Sequence, residues 1–333
     1  MVFHGYVAHN PGDTLVPYTY EPEPLGAEDV EVAISHCGIC HSDVHIIDGD
    51  WGHHHPAVAG HEVVGTVAAL GSNVKSLQIG QRVGIGWQSG SCMECEWCIR
   101  GETNLCPNSL ATCKDRPGGF ADRIRVDARF AFPIPDALDS VNAAPLLCGG
   151  ITVYAPLAHF GVRPSDRVGV IGIGGLGHLA VQFAAKMGCE VTAFSTSPSK
   201  EAEARTLGAH HFINSKDDAQ MKAARRSLDF IISTVNVNLD WDSYIKVLRP
   251  DGMLCFVGAL SDPIQISTGL LLGNRRSVSG SPIGSRAQMQ EMLDFAARHQ
   301  VVAQTELLPM AEINTALDKV RRNEARYRMV VSV

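Results

Sequence analysis

The chain has 333 residues, 45% of them apolar and 19% charged, and a formal net charge of −7. That length holds two domains with cores of their own, and an acidic balance without basic clusters argues against nucleic acid as a partner. No apolar run approaches the roughly 20 residues of a membrane span, and residues 1–10 lack the charged and apolar regions of a signal peptide. The cytosol is therefore the expected compartment, and its reduced thiols suit metal ligation better than disulfides.

From residue 30 to about 129 the chain is Gly-rich, with short apolar runs at 30–34, 63–70, 82–85 and 121–126 and little helical period. This pattern predicts a small, barrel-like β domain interrupted by a cysteine loop. A helix is expected over 140–160, then a buried strand over 167–173 that runs into a Gly-rich turn. Strands at 191–194, 212–214, 230–234 and 253–257 alternate with helices at 176–187, 199–207 and 239–248, the alternation of a parallel, doubly wound sheet. Helices at 286–297 and 310–322 and a strand at 328–333 close the chain, and this last segment is expected to return to the first domain and complete its sheet. The expected division is a catalytic domain over 1–148 with a metal lobe at 88–110, a dinucleotide-binding domain over 149–283, and the returning segment 284–333.

Four of the ten cysteines, Cys92, Cys95, Cys98 and Cys106, share one short segment. Four thiolates within one loop can surround a single tetrahedral ion and leave no open position, which is the pattern of a structural zinc site. Cys40, His61 and Cys148 form a second, dispersed set, and three donors from distant segments suggest a metal that does chemistry. Cys113, Cys189 and Cys255 have no motif around them and read as small core hydrophobes.

Gly172-Ile173-Gly174-Gly175-Leu176-Gly177 is a Gly-x-Gly-x-x-Gly string set between an apolar strand and a helix. In that context backbone amides and a helix N-terminus hold a pyrophosphate. About 20 residues further on, where a carboxylate would select NAD, the chain has Ser195-Thr196-Ser197-Pro198-Ser199-Lys200. Hydroxyls and a cation suit a 2′-phosphate, so NADP(H) is expected over NAD(H).

The segment from Gly38 to His45 (Gly-Ile-Cys-His-Ser-Asp-Val-His), the triplet Gly60-His61-Glu62, the four-cysteine loop and the Gly-rich turn stand in the order found in zinc-dependent medium-chain alcohol dehydrogenases. The chain resembles that family over nearly its whole length. Through residues 38–43, 147–154 and 195–200 it is similar to the cinnamyl alcohol dehydrogenase and bacterial aldehyde reductase branch. The resemblance implies an α/β architecture: a GroES-like, mostly β catalytic domain with a structural zinc lobe, and a Rossmann domain with a doubly wound parallel sheet. It also implies two zinc ions per subunit, a homodimer, and hydride transfer between NADP(H) and primary aliphatic or aromatic alcohols and aldehydes, leaning towards aldehyde reduction.

By the same resemblance Cys40, His61 and Cys148 are the catalytic zinc ligands, the ligand set by which alcohol dehydrogenases are known. Cys40, standing before His41-Ser42-Asp43, is chosen over Cys37, which reads as a buried neighbour. Glu62 stands behind the metal, Asp43 orients the histidine ligand, and Ser42 passes a proton towards His45. His41 contacts the pyrophosphate, Thr152 the nicotinamide ribose, and Gly258, Ser281 and Ile283 the carboxamide end. Trp51 and Trp87 line the substrate cleft. The triplet His53-His54-His55, in a loop before the Gly-His-Glu motif, is expected to face solvent. Two alternatives stay open: a secondary-alcohol or polyol dehydrogenase on the same fold, and a non-catalytic dinucleotide-binding sensor. Polyol-type relatives offer a glutamate where this chain has Cys148.

Overall fold

The computed structural model describes residues 1–52, 54–260 and 262–333. The chain divides into two compact units, Met1–Ile151 with Gly284–Val333, and Thr152–Ile283. The split falls inside the helix Gly149–His159 rather than before it.

Among the described residues nine strands precede that helix: β1 (Phe3–Val7), β2 (Val16–Tyr20), β3 (Asp29–Ile39), β4 (Glu62–Leu70), β5 (Arg82–Ile85), β6 (Gln88–Gly90), β7 (Leu110–Ala111), β8 (Arg123–Asp127) and β9 (Ala131–Pro133). Six more, β10 (Arg167–Ile171), β11 (Glu190–Ser195), β12 (His211–Asn214), β13 (Leu228–Ser233), β14 (Leu248–Phe256) and β15 (Ser277–Gly280), belong to the second unit. The first unit then resumes with β16 (Thr305–Pro309) and β17 (Arg328–Ser332).

The first unit is built on a seven-stranded sheet in the order β16-β17-β3-β4-β5-β9, with β8 also paired to β3. Its long central pair, β3 and β4, buries Val32, Ile34, Ile39, Val63 and Val67 in one core with Phe120, Met329 and Val331. Strand β17, from the far end of the chain, pairs antiparallel with β3 in the register Met329↔Ile39, so the C-terminal segment adds to the first unit's sheet. This register matters for the site, because the paired end of β3 is followed at once by Cys40 and β17 begins at Arg328.

The second unit is a six-stranded parallel sheet in the order β12-β11-β10-β13-β14-β15. Numbered within the unit this is 3-2-1-4-5-6, the Rossmann order, which reverses direction between its first and fourth strands and opens a crevice at their carboxyl ends. Strands β10, β11 and β13 are buried almost throughout, as expected for a sheet covered by helices on both faces.

The helix expected over 140–160 is broken. A short helix Ser140–Ala143 tightens into a 3-10 turn Ala144–Leu147 that contains Pro145, and Cys148, with φ −125° and ψ −65°, separates it from Gly149–His159. The two parts meet at 55°. Pro145 lies in the first turn of the 3-10 segment, where its missing amide is tolerated, and the bend falls after it at Cys148, whose backbone is not helical. Among the described residues no single helix is long and apolar enough to cross a membrane.

Candidate active site

Cys40 and His61 come together because of strand register. Gly38 pairs with Glu62 across the β3–β4 ladder, so the residue just beyond one strand and the residue just before the other are neighbours. Gly38 is required there, since a Cβ would collide with the Glu62 carboxylate. Cys148, at the helix break, supplies the third donor. One donor atom from each of Cys40, His61, Glu62 and Cys148 lies within 4.8 Å of all the others.

The helix His41–Asp48 starts directly at Cys40. Asp43, its third residue, reaches back to accept the Cys40 backbone amide at 2.9 Å, and Gly49 ends the helix in the left-handed conformation at φ +78°. The other Asp43 oxygen accepts the Gly60 amide at 2.9 Å and the His61 Nδ1 proton at 2.7 Å. One buried carboxylate thus fixes the backbone at one donor and the ring of another. With Nδ1 protonated, Nε2 of His61 is a bare acceptor, and it is buried without a hydrogen-bond partner. An orphaned imidazole nitrogen between two thiols is what a zinc ion satisfies.

The two thiols are shifted in opposite directions, the side-chain bond to Cys40 and burial holding the Cys148 thiol well above its ordinary pKa. The Cys40 thiol is held well below its ordinary pKa, first by the Cys148 side chain hydrogen-bonded to it and then by His61 and Arg328 nearby. Burial would lower the His61 pKa, but the Asp43 carboxylate reverses this and raises it. Burial pushes Glu62 up to about 7 against the opposing pull of Arg328. Arg328 forms a buried ion pair with Glu62 Oε1, whereas Oε2 has no partner.

Around these donors stand the remaining expected residues of the first unit. Ser42 Oγ is 3.7 Å from Cys40 Sγ. The rings of His41 and His45 lie 5.5 Å apart, and His45 stacks on Trp51 at 5.0 Å. Trp51 meets Trp87 edge-on at 5.8 Å, and Trp87 meets His61 edge-on at 4.9 Å, so the two indoles form a wall that ends at the histidine donor. Two partners were not expected from sequence. Asp50 Oδ2 accepts a hydrogen bond from His45 Nδ1 at 2.8 Å, and Arg328 closes on Glu62. The first lies five residues from its histidine in a loop, and the second is 266 residues away in sequence.

The other cysteines behave differently from one another. Sγ atoms of Cys92, Cys95, Cys98 and Cys106 lie within 4.8 Å of each other, with Cys92 at 3.5 Å from Cys106 and 4.0 Å from Cys98. A tetrahedron of sulfurs about 2.3 Å from zinc has an edge of about 3.8 Å, so the lobe fits the ion. Amides of Glu94 and Cys95 pull the Cys92 thiol down to about 6, whereas, against the pull of the Cys98 amide, desolvation and the other three thiols push Cys95 up to about 11. Cys37, Cys113, Cys189 and Cys255 are all buried, and Cys113 Sγ also approaches Asp43 Oδ1 at 3.9 Å. In the histidine triplet, His53 lies outside the described residues and His54 is exposed. His55 departs from the expectation: it is half-buried and donates from Nε2 to the Ile47 carbonyl at 3.1 Å.

In the second unit the Gly-rich string takes the turn between β10 and the helix Gly177–Lys186. Gly172 has φ +87°. A Cβ on Gly174 would meet nothing, so a ligand can approach its backbone, whereas a Cβ on Gly177 would collide with the Gly172 carbonyl. Tight turn, close approach and strand-to-helix packing are the three tasks of a pyrophosphate-binding turn, and the site fits a dinucleotide. Gly175 and Leu176 complete the turn. Ser195 ends β11, and its Oγ accepts the Ser197 amide at 3.1 Å. Thr196 follows it, and Lys200 pairs with Glu203 at 3.3 Å. Gly258 packs on the Val235 carbonyl, and the Ser281 amide donates to Phe256 at 3.0 Å, which places both at the carboxyl ends of β14 and β15. Ile283 ends this unit, and Thr152, buried in the helix Gly149–His159, begins it.

Comparison with known proteins agrees with this geometry. Residues 26–136 match the family model described as alcohol dehydrogenase GroES-like domain, and residues 175–298 match that described as zinc-binding dehydrogenase. The chain is 45% identical to the aldehyde reductase AdhA of Synechocystis sp. over 98% of both proteins. Among solved structures, a cinnamyl alcohol dehydrogenase of Sorghum bicolor superposes with a TM-score of 0.96 at 40% identity, covering 100% of this chain and 98% of that one. The cinnamyl alcohol dehydrogenase of Helicobacter pylori, solved with NADP(H), gives 0.91 at 32% identity, covering 99% and 98%. The chain belongs to the zinc-dependent medium-chain alcohol dehydrogenases, in the branch of the cinnamyl alcohol dehydrogenases and bacterial aldehyde reductases.

Proposed function

We propose that this chain is an NADP(H)-dependent zinc oxidoreductase that interconverts primary alcohols and aldehydes, working mainly as an aldehyde reductase in the cytoplasm and as a homodimer. The observation that carries the reading is the buried, unpartnered Nε2 of His61 among the thiols of Cys40 and Cys148, with the Trp87 ring against it. The aldehyde reductase and NADP(H)-bound relatives support it.

When bound, zinc supplies Lewis acidity towards the substrate oxygen, and NADPH supplies the hydride. Cys40, His61 and Cys148 would hold the ion, and three protein donors are the number found in catalytic zinc sites. Cys92, Cys95, Cys98 and Cys106 hold the second ion, which shapes the lobe. Asp43 keeps His61 in the tautomer that presents Nε2, and Arg328 holds one oxygen of Glu62 while the other has no hydrogen-bond partner. Ser42 and His45 carry the proton between site and solvent, and Asp50, which accepts from His45 Nδ1, orients the imidazole.

Trp51 and Trp87 narrow the approach and favour an unbranched carbon beside the reacting oxygen. Ser195, Thr196, Ser197 and Lys200 receive the 2′-phosphate, the Gly172–Gly177 turn the pyrophosphate, and His41, Thr152, Gly258, Ser281 and Ile283 keep the cofactor roles that the resemblance implies.

The test is NADPH consumption with benzaldehyde and with acetone, beside a count of zinc per subunit. Turnover of benzaldehyde well above acetone, with two zinc ions per subunit, is expected. A zinc-loaded protein that reduces acetone preferentially would put the chain with the secondary-alcohol enzymes, and one that reduces neither would remove the enzymatic reading.

A further inference from the structure

We propose that Thr234 is a positioning residue for the phosphate-binding turn, its hydroxyl clamping the two carbonyls at which β10 becomes the Gly-rich loop. The inference rests on the dinucleotide reading of that loop and adds a residue outside the glycine string. Thr234 directly follows β13, the strand beside β10 at the reversal of strand order. Its backbone amide donates to the Ile171 carbonyl at 3.1 Å and extends the ladder one residue past the strand. Its Oγ1 lies 2.9 Å from the Ile171 carbonyl and 3.0 Å from that of Gly172, so one hydroxyl proton is shared between both.

The same oxygen also sits against both ends of the turn. A Cβ added at Gly172 or at Gly177 would come within 3.2 Å of Thr234 Oγ1. Gly172 is the residue with positive φ, a conformation that glycine adopts freely and therefore holds weakly by itself. A hydroxyl bonded to its carbonyl restricts that freedom. A carbonyl engaged by a protein donor is also not turned towards a phosphate, whose charge it would repel. The main-chain bond from Thr234 already joins the strands, so the hydroxyl's further reach acts on the loop and not on the sheet.

Thr234→Val removes the hydroxyl and keeps the β-branched shape, and Thr234→Ser keeps the hydroxyl. The experiment is fluorescence titration of the full-length, zinc-loaded protein with NADPH and separately with NADH, beside thermal unfolding and steady-state kinetics. In Thr234→Val both dissociation constants should rise by about tenfold, the equivalent of about 1.4 kcal/mol, because the two cofactors share the pyrophosphate. At saturating cofactor kcat should stay within about twofold of the parent, and Thr234→Ser should return both affinities to within about twofold. Unchanged affinity in Thr234→Val, a loss in Thr234→Ser equal to that in Thr234→Val, or a loss confined to NADPH would overturn the proposal. If the parent protein binds neither dinucleotide, the reading of the Gly-rich turn falls and the role of Thr234 falls with it, whereas binding by the parent together with an unchanged Val variant removes only the latter.

Discussion

Nδ1 of His61 lies 2.7 Å from Oδ1 of Asp43, and neither side chain has any exposure to solvent. The same carboxylate bonds the backbone of Cys40, so Asp43 places two of the three proposed ligands without touching the metal. Loss of an outer partner of this kind costs about 10–100-fold in metal affinity. Asp43→Ala is therefore expected to lose zinc from the catalytic position at chelator concentrations the parent withstands, with activity falling in step. Asp43→Asn, which can still accept from Nδ1, should lie between. Metal content measured after graded chelator treatment checks this, and equal retention by all three proteins would contradict it.

The two cysteine clusters should fail in different ways. Cys40→Ser removes a proposed ligand of the catalytic ion, and turnover should vanish while NADPH affinity stays within about twofold of the parent. Cys98→Ser opens the proposed closed tetrahedral site, whose binding energy would be folding energy. It should lower the melting temperature before it lowers kcat of the surviving fraction. Thermal unfolding and active-site titration on the same preparations separate the two, and a Cys98→Ser protein with the parent's stability would deny the lobe its structural role.

Legibility in the sequence followed the range of the interactions concerned. The four-cysteine lobe, the Gly-rich turn and most strands of the parallel sheet carry local signals: ligand spacing, a glycine string after an apolar run, and continuous burial. The helix His41–Asp48 carries much less, being eight residues long, and its start is marked only by Asp43 three positions after Cys40. The hairpin β1–β2 and strand β16 were not anticipated, since β2 is largely exposed and lacks an alternating apolar face. Helix period over 140–160 hid the break at Cys148, because apolar spacing continues through it, although Gly149-Gly150 directly follow. Arg328 illustrates the remaining limit. Its pairing with Glu62 depends on the β17–β3 and β3–β4 registers together, which local sequence does not encode.

His45 and Asp50 give a prediction about proton transfer. The imidazole is joined to the carboxylate at 2.8 Å, with the two side chains 31% and 54% exposed, so the pair is in contact with solvent. His45→Gln removes the imidazole, and the expected loss in kcat is about 10²-fold. Added imidazole should restore part of the rate, which separates a lost proton carrier from a distorted site. Asp50→Asn keeps the imidazole and should lose less. A His45→Gln protein with parental kcat, or one insensitive to added imidazole, would remove His45 from the proton path.

Lys200 bears on cofactor choice. It is the cation of the Ser195–Lys200 segment, and its ammonium already pairs with Glu203 at 3.3 Å, with side-chain exposures of 28% and 16%. A 2′-phosphate must draw on a charge that is partly neutralised, so Lys200 should favour NADPH without excluding NADH. Charge-assisted bonds to phosphate are roughly twice as strong as neutral ones, and Lys200→Ala should raise KM for NADPH by about tenfold. KM for NADH, which has no phosphate at that position, should change by less than about twofold. Glu203→Gln tests the competing half of the pair: with the neutralising carboxylate gone, the ratio of NADPH to NADH specificity constants should increase. Equal effects of Lys200→Ala on both cofactors would assign the lysine to the helix start at Glu201 and return the preference to the serine and threonine hydroxyls.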